Sequence, residues 1–141
     1  MPRLAIYGYG RYIERVQIPF TGFLTVVAVN AMLSQVAGFK RELEKVQIVT
    51  TVVGTGAGAT RLFNIRKGSA TGTIIGTFTP TLANQGTLGV VTDGTVVSAG
   101  DVNKLDDADA LTIEAPNAGT AFSAGGFDVL LHWRVPLQKR N

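Results

Sequence analysis

The sequence contains no cysteine, which excludes disulfide frameworks, thiol catalysis and every cysteine-containing zinc site. Its one histidine, His132, excludes multi-histidine metal centres and mechanisms that need two imidazoles. Charge is also scarce. Charged residues make up 16% of the chain, against roughly 25% in an average soluble domain. Hydrophobic residues reach 45%, and mean hydropathy is +0.23. A surface so poor in charge is either neutral or covered by other chains. No apolar run is long enough for a membrane: Phe23 to Leu33 is broken by Thr25 and Asn30, and a spanning helix needs about 20 apolar residues. Residues 1–20 hold Arg3, Arg11, Glu14 and Arg15 without a continuous apolar core, so no secretory signal is expected. Synthesis and assembly in a cytoplasm follow as the expectation.

What is present points to strands and turns. The chain has 141 residues, 17 of them glycine, a length at which one domain buries about 68–70% of its unfolded surface. The dominant period is two. Phe127, Val129, Leu131, Trp133 and Val135 alternate with Asp128, Leu130, His132 and Arg134 before Pro136 ends the run. Leu111 and Ile113 alternate with Thr112 and Glu114, and Phe63 and Ile65 with Leu62, Asn64 and Arg66. Residues 46–53 are β-branched at all but one position, which disfavours helix and suits a sheet. Asp93-Gly94 between apolar runs predicts a hairpin over 91–96. Further strands are expected at 3–7, 12–18, 23–30 and 72–79. Short strands separated by glycine-rich turns predict an all-β antiparallel sandwich or barrel. The single helical candidate is 31–45, interrupted by Gly38.

No motif for chemistry survives its context. Gly54-Thr55-Gly56-Ala57-Gly58-Ala59 satisfies a dinucleotide fingerprint by spelling alone. The fingerprint needs a following helix and an acid about 20 residues on, and no acid lies between Glu44 and Asp93. A hairpin loop is expected there, and a turn at Lys67-Gly68-Ser69. Asp101, Asp106, Asp107 and Asp109 lack the ligand spacing of a calcium loop and predict a solvated loop. His132 falls on the outward face and Trp133 on the inward one. No G-x-S-x-G elbow occurs. No catalytic residue, metal site or cofactor is expected, and the protein is read as a scaffold or interaction module.

Charge is unevenly placed. Residues 1–67 carry nine basic and three acidic side chains, net +6, and residues 68–141 carry four and seven, net −3. Arg3, Tyr7, Tyr9, Arg11, Tyr12 and Arg15 form the densest basic and aromatic cluster. No groove-reading motif accompanies it, so a protein surface is a better partner for it than nucleic acid. Residues 1–20, with glycines at 8 and 10, read as an extended N-terminal arm ahead of a sandwich spanning 21–141.

From about Phe39 to Val135 the pattern resembles jelly-roll modules of tailed-bacteriophage virion proteins, among them capsid decoration (cement) proteins and fibre domains. The resemblance rests on Arg41-Glu42-Leu43-Glu44-Lys45-Val46 leading into a β-branched strand, the Gly/Ala loop 54–59, and the strand Arg61 to Gly68. Ser98-Ala99-Gly100-Asp101, Ala110-Leu111-Thr112-Ile113 and the terminal Gly-Phe-Asp-Val-Leu-Leu-His-Trp-Arg-Val complete it. It implies a jelly-roll sandwich, a place on the capsid surface of a virion, a major capsid protein as partner, and a homotrimer. It transfers no catalytic residue. A receptor- or glycan-binding fibre module is the alternative that the same resemblance allows.

Overall fold

The computed structural model describes residues 10–18, 29–34, 38–69, 71–116 and 118–136. Among these residues ten strands follow in order: β1 (Gly10–Ile18), β2 (Val29–Ser34), β3 (Arg41–Thr55), β4 (Phe63–Lys67), β5 (Ile74–Phe78), β6 (Val91–Asp93), β7 (Thr95–Val96), β8 (Lys104–Leu105), β9 (Leu111–Ala115) and β10 (Ala124–Val135). Among the described residues there is no α-helix, only a 3₁₀ turn at Ala99–Asp101.

One sheet runs β1-β10-β3-β6, with β8 also on β3, and the other runs β2-β9-β4-β5-β7. The pairing is nested: β1 with β10, β2 with β9, β3 with β6 and β4 with β5, all antiparallel. Such nesting is one long hairpin of chain rolled up on itself, the double Greek key of a jelly roll. Each strand needs an apolar residue at every second position to bury one face between the sheets. Phe127, Val129, Leu131 and Trp133 on one side, with Phe63, Ile65, Leu111 and Ile113 on the other, are buried as that rule requires. Phe63, Phe78 and Phe127 lock the layers together: Phe63 stacks on Phe78 at 4.9 Å between centroids, and Phe127 meets both edge-on at 5.5 and 5.8 Å.

Four expectations change. The helix considered over 31–45 is absent, because β2 covers 29–34 and β3 begins at Arg41. Leu43 is fully buried, and β3 keeps its inward side through a bulge in which His132 faces Lys45 while Trp133 faces Leu43. Asp93-Gly94 makes no hairpin: β6 pairs with β3 in one sheet and β7 with β5 in the other. At Gly94 the chain crosses the sandwich, its amide donating to the Val46 carbonyl at 2.8 Å. Likewise, the Gly54–Gly58 loop carries the chain from β3 to β4 between sheets and closes no hairpin.

The fourth change concerns the arm of residues 1–20. From Gly10 to Ile18 it is a strand of the sheet, in unbroken register with β10. Tyr12, Val16 and Ile18 pack on the core while Arg11, Ile13, Arg15 and Gln17 stay exposed. Three apolar side chains at period two suffice to bind an edge strand, even in a segment short of aliphatics. Residues 1–9 and 19–20, with the strand expected at 3–7 and most of that at 23–30, lie outside the described residues.

Candidate interaction face

The outer face of the β1-β10-β3-β6 sheet is built by the residues that the core rejects. Register sets Ile13 of β1 opposite His132 of β10, which faces Lys45 of β3. One row along, Arg15 faces Leu130, which faces Gln47, which faces Asp93 of β6. Polar side chains tie these rows across all four strands. Arg11 meets Glu44 and Arg15 meets Asp128, each at 3.0 Å. A ring nitrogen of His132 lies 2.8 Å from Gln47 Oε1, and Gln47 Nε2 donates to Asp93 Oδ1 at 2.9 Å.

Both arginines are about two-thirds exposed, at 65% and 63% of their side-chain surface. The Arg11–Glu44 pair is exposed and contributes little to stability, whereas Arg15 pairs with the largely buried Asp128; both contacts orient the guanidinium groups and leave their outer donors in solvent. Between them Ile13 stands 57% exposed. At the β3 bulge the face dips into an open groove of about 530 Å³ lined by Arg11, Tyr12, Ile13, Glu44, Lys45, His132 and Trp133. Its rim carries Arg11, Lys45 and His132 together with the carboxylate of Glu44, which pairs with Arg11, and the exposed Ile13 stands beside them.

The six residues expected to make contact with a partner divide accordingly. Arg11 and Arg15 stand on this face. Tyr12 points the other way: it stacks near Trp133 at 6.5 Å and its hydroxyl accepts a hydrogen bond from Arg41 at 3.3 Å. Arg3, Tyr7 and Tyr9 lie outside the described residues. Ile13, Glu44, Lys45 and Gln47 went unnoticed in the sequence. The alternation in 10–18 could have shown Ile13, whereas the bulge that re-aims Glu44 and Lys45 carries no sequence signal.

Trp133 is fully buried, with its indole N–H donating to Glu14 Oε1 at 3.1 Å and the Arg41 guanidinium 4.2 Å above its ring. It is a core residue with a polar anchor, as its parity predicts. The acidic loop is knit by its own contacts: Asp101 pairs with Lys104, Asp109 with Lys67, and the Asp106 amide donates to Asp109 Oδ2. Among the described residues no group of three His, Asp or Glu side chains is placed to hold a metal ion. Lys67-Gly68-Ser69 turns β4 into β5, with Gly68 at φ +84°.

Neither a protein-family profile nor a curated protein matches the chain in sequence. Solved structures do match in fold. A chain of the cyanophage Pam1 capsid asymmetric unit superposes with a TM-score of 0.52 at 19% identity, covering 96% of this chain and 94% of that one. A structure of Bacillus endospore appendages, described as disulfide-linked pili, gives 0.43 at 13% identity over 93% and 90% of the two chains. One of infectious bursal disease virus, Gx strain, gives 0.36 at 15% identity over 94% of this chain and 33% of that one. The first establishes a fold shared with a viral capsid chain almost end to end. The other two overlap too loosely to add to it.

Proposed function

We propose that this chain is a structural virion protein, a decoration or cement protein that sits on the outside of a phage capsid and braces junctions between capsomers. The observation that carries this reading is the jelly roll shared over nearly the whole length with a chain of a phage capsid asymmetric unit. Its partner is the major capsid protein, met through the outer face of the β1-β10-β3-β6 sheet. A net charge of +3, with Arg11 and Arg15 still largely exposed on either side of Ile13, suits an acidic shell surface. Long-range attraction of that kind steers encounter and falls off within a Debye length. Each copy need bind only modestly, because many copies act on one shell and linked copies gain avidity.

The glycan-binding alternative would use an exposed aromatic ring as a sugar platform, and among the described residues Trp133, Phe122 and Phe127 are buried and do not supply one. The test is shell stability. Empty shells lacking this protein should break up at a higher temperature once it is added. Unchanged disruption at saturating protein would contradict the bracing role.

A further inference from the structure

His132, the one histidine of the sequence, stands in the middle of the outer face of the β1-β10-β3-β6 sheet. It faces Ile13 of β1 on one side and Lys45 of β3 on the other, and it lines the groove at the β3 bulge. Its hydrogen bonding fixes which nitrogen carries the hydrogen when the ring is neutral. An ionised carboxylate only accepts, so the Gln47 amide turns Nε2 towards Asp93, at 2.9 Å, and Oε1 towards the ring. An amide oxygen also only accepts, so His132 Nε2, 2.8 Å away, is the donor. That bond is the same for the neutral and the protonated ring. A proton gained by the ring therefore enters at Nδ1, which changes from acceptor to donor while the His132–Gln47–Asp93 chain stays whole.

The charges around the ring come from four strands, and they balance. Arg11 and Arg15 stand on β1, Glu42, Glu44 and Lys45 on β3, Asp93 on β6, and Asp128 and Arg134 on β10 itself. Arg11 pairs with Glu44, Arg15 with Asp128 and Lys45 with Asp93, and Arg134 is in register with Glu42. On the inner side of the sheet Arg41 faces Glu14 across 3.9 Å. Every cation here is matched by a carboxylate, so with a neutral ring this neighbourhood carries no net charge. Cysteine is absent, and imidazole is the remaining side-chain type that ordinarily changes charge between pH 5 and 8. The proton on His132 is thus the one that turns a balanced surface into a positive one.

We propose that His132 makes the partner contact of this face proton-dependent, so that the face holds an acidic protein surface more tightly as pH falls from about 8 to about 5.5. The proposal rests on the capsid reading, since the acidic surface is that of the shell. The sign follows from the ring. Neutral, it offers a carboxylate of the partner only a lone pair at Nδ1. Protonated, it offers an N–H and a full charge, and hydrogen bonds between ionised groups are roughly twice as strong as neutral ones. Proton and partner then favour each other's binding by the same factor, as linkage requires.

Shell binding at two pH values and one ionic strength tests it, with the full chain titrated into empty phage capsid shells and the bound fraction read by co-sedimentation. The unaltered protein should bind about three- to tenfold more tightly at about pH 5.5 than at about pH 8. His132→Gln keeps a donor for Gln47 and never gains charge, so it should bind at both pH values as the parent does at the higher one. His132→Lys carries its charge at both and should bind at both as the parent does at the lower one. Thermal melts confirm that the two variants are folded. Parent binding that does not change with pH, or a change of equal size in His132→Gln, would overturn the proposal and leave the capsid reading standing. A parent that pellets with shells at neither pH would contradict the capsid reading, and this proposal with it.

Discussion

The guanidinium of Arg61 donates to the main-chain oxygen of Ala118 at 3.0 Å, from a side chain with no solvent exposure. It also donates to the carbonyls of Ala115, at 3.2 Å, and Pro116. Burial pushes its pKa down from the usual arginine value, yet an arginine remains charged in any folded protein. A cation thus fixes the chain after β9 by answering the carbonyl oxygens of Ala115, Pro116 and Ala118 that the strand ladder leaves over.

Removing that cation should be costly. Arg61→Met fills the space but leaves several buried carbonyls without donors, at about 1–3 kcal/mol for each unsatisfied group. We expect a loss of about 2–4 kcal/mol, since water recovers part of it. Arg61→Lys should restore little, because a point ammonium cannot span the separate acceptors that a planar fork reaches. Urea unfolding checks both, through a lower midpoint at unchanged slope.

Acid should loosen the second sheet through Glu114. Its carboxylate accepts from Asn64 Nδ2 at 3.0 Å and from Arg66 Nε at 2.7 Å. These bonds, Asn64 first and then Arg66, hold its pKa below the ordinary 4.5, against an opposing effect of burial. A carboxylate depressed in the fold contributes stability that is fully present above its unfolded pKa. That stability is lost as pH falls through the lower folded value. Thermal melts from pH 6 down to roughly pH 2–3 should therefore show a drop in the parent below about pH 4.5 that is shallower in Glu114→Gln. Parallel curves for the two proteins would contradict the assignment.

The sheet crossing at Gly94 should tolerate no side chain. A Cβ there would lie 2.5 Å from Thr77 O and 3.1 Å from Phe78 Cβ, a clash with main chain that cannot rotate away. Gly94→Ala is expected to cost about 2–3 kcal/mol by overpacking. At Gly86 the nearest atom would be 3.5 Å away, so Gly86→Ala should stay within about 0.5 kcal/mol of the parent. Equal melting temperatures for the two variants would mean that the crossing is looser than described.

Much of this was legible in the sequence, for identifiable reasons. Period two over 127–135 and 63–67 declares which residues face inward, because burial on one side is the strongest constraint that a strand obeys. Trp133 and Phe63 accordingly sit where parity puts them. What escaped depends on partners distant in sequence. Asp93-Gly94 spells a tight turn equally well for a hairpin and for a crossing, and only the pairing of Val91 with Val49 and of Thr95 with Thr77 distinguishes them. Arg61 reads as a surface charge at the head of a strand, since nothing nearby in sequence reveals the carbonyls of Ala115, Pro116 and Ala118. The strand character of 10–18 was visible in Tyr12, Val16 and Ile18, but the surrounding glycines and arginines argued for a separate arm. Its register with β10 makes the sheet face, and with it the candidate contact, a product of the two ends of the chain.

The most direct measurement of the proposed role is co-sedimentation of the purified protein with empty phage capsid shells. Arg11→Gln with Arg15→Gln removes two exposed charges and keeps a hydrogen-bond donor beside Glu44 and the largely buried Asp128. If the outer face of the β1-β10-β3-β6 sheet is the contact, the unaltered protein pellets with the shells, increasingly so as salt is lowered. The double variant melts within about 1 kcal/mol of the parent and remains in the supernatant. A double variant that pellets with shells as fully as the parent, at the same salt, would contradict the account.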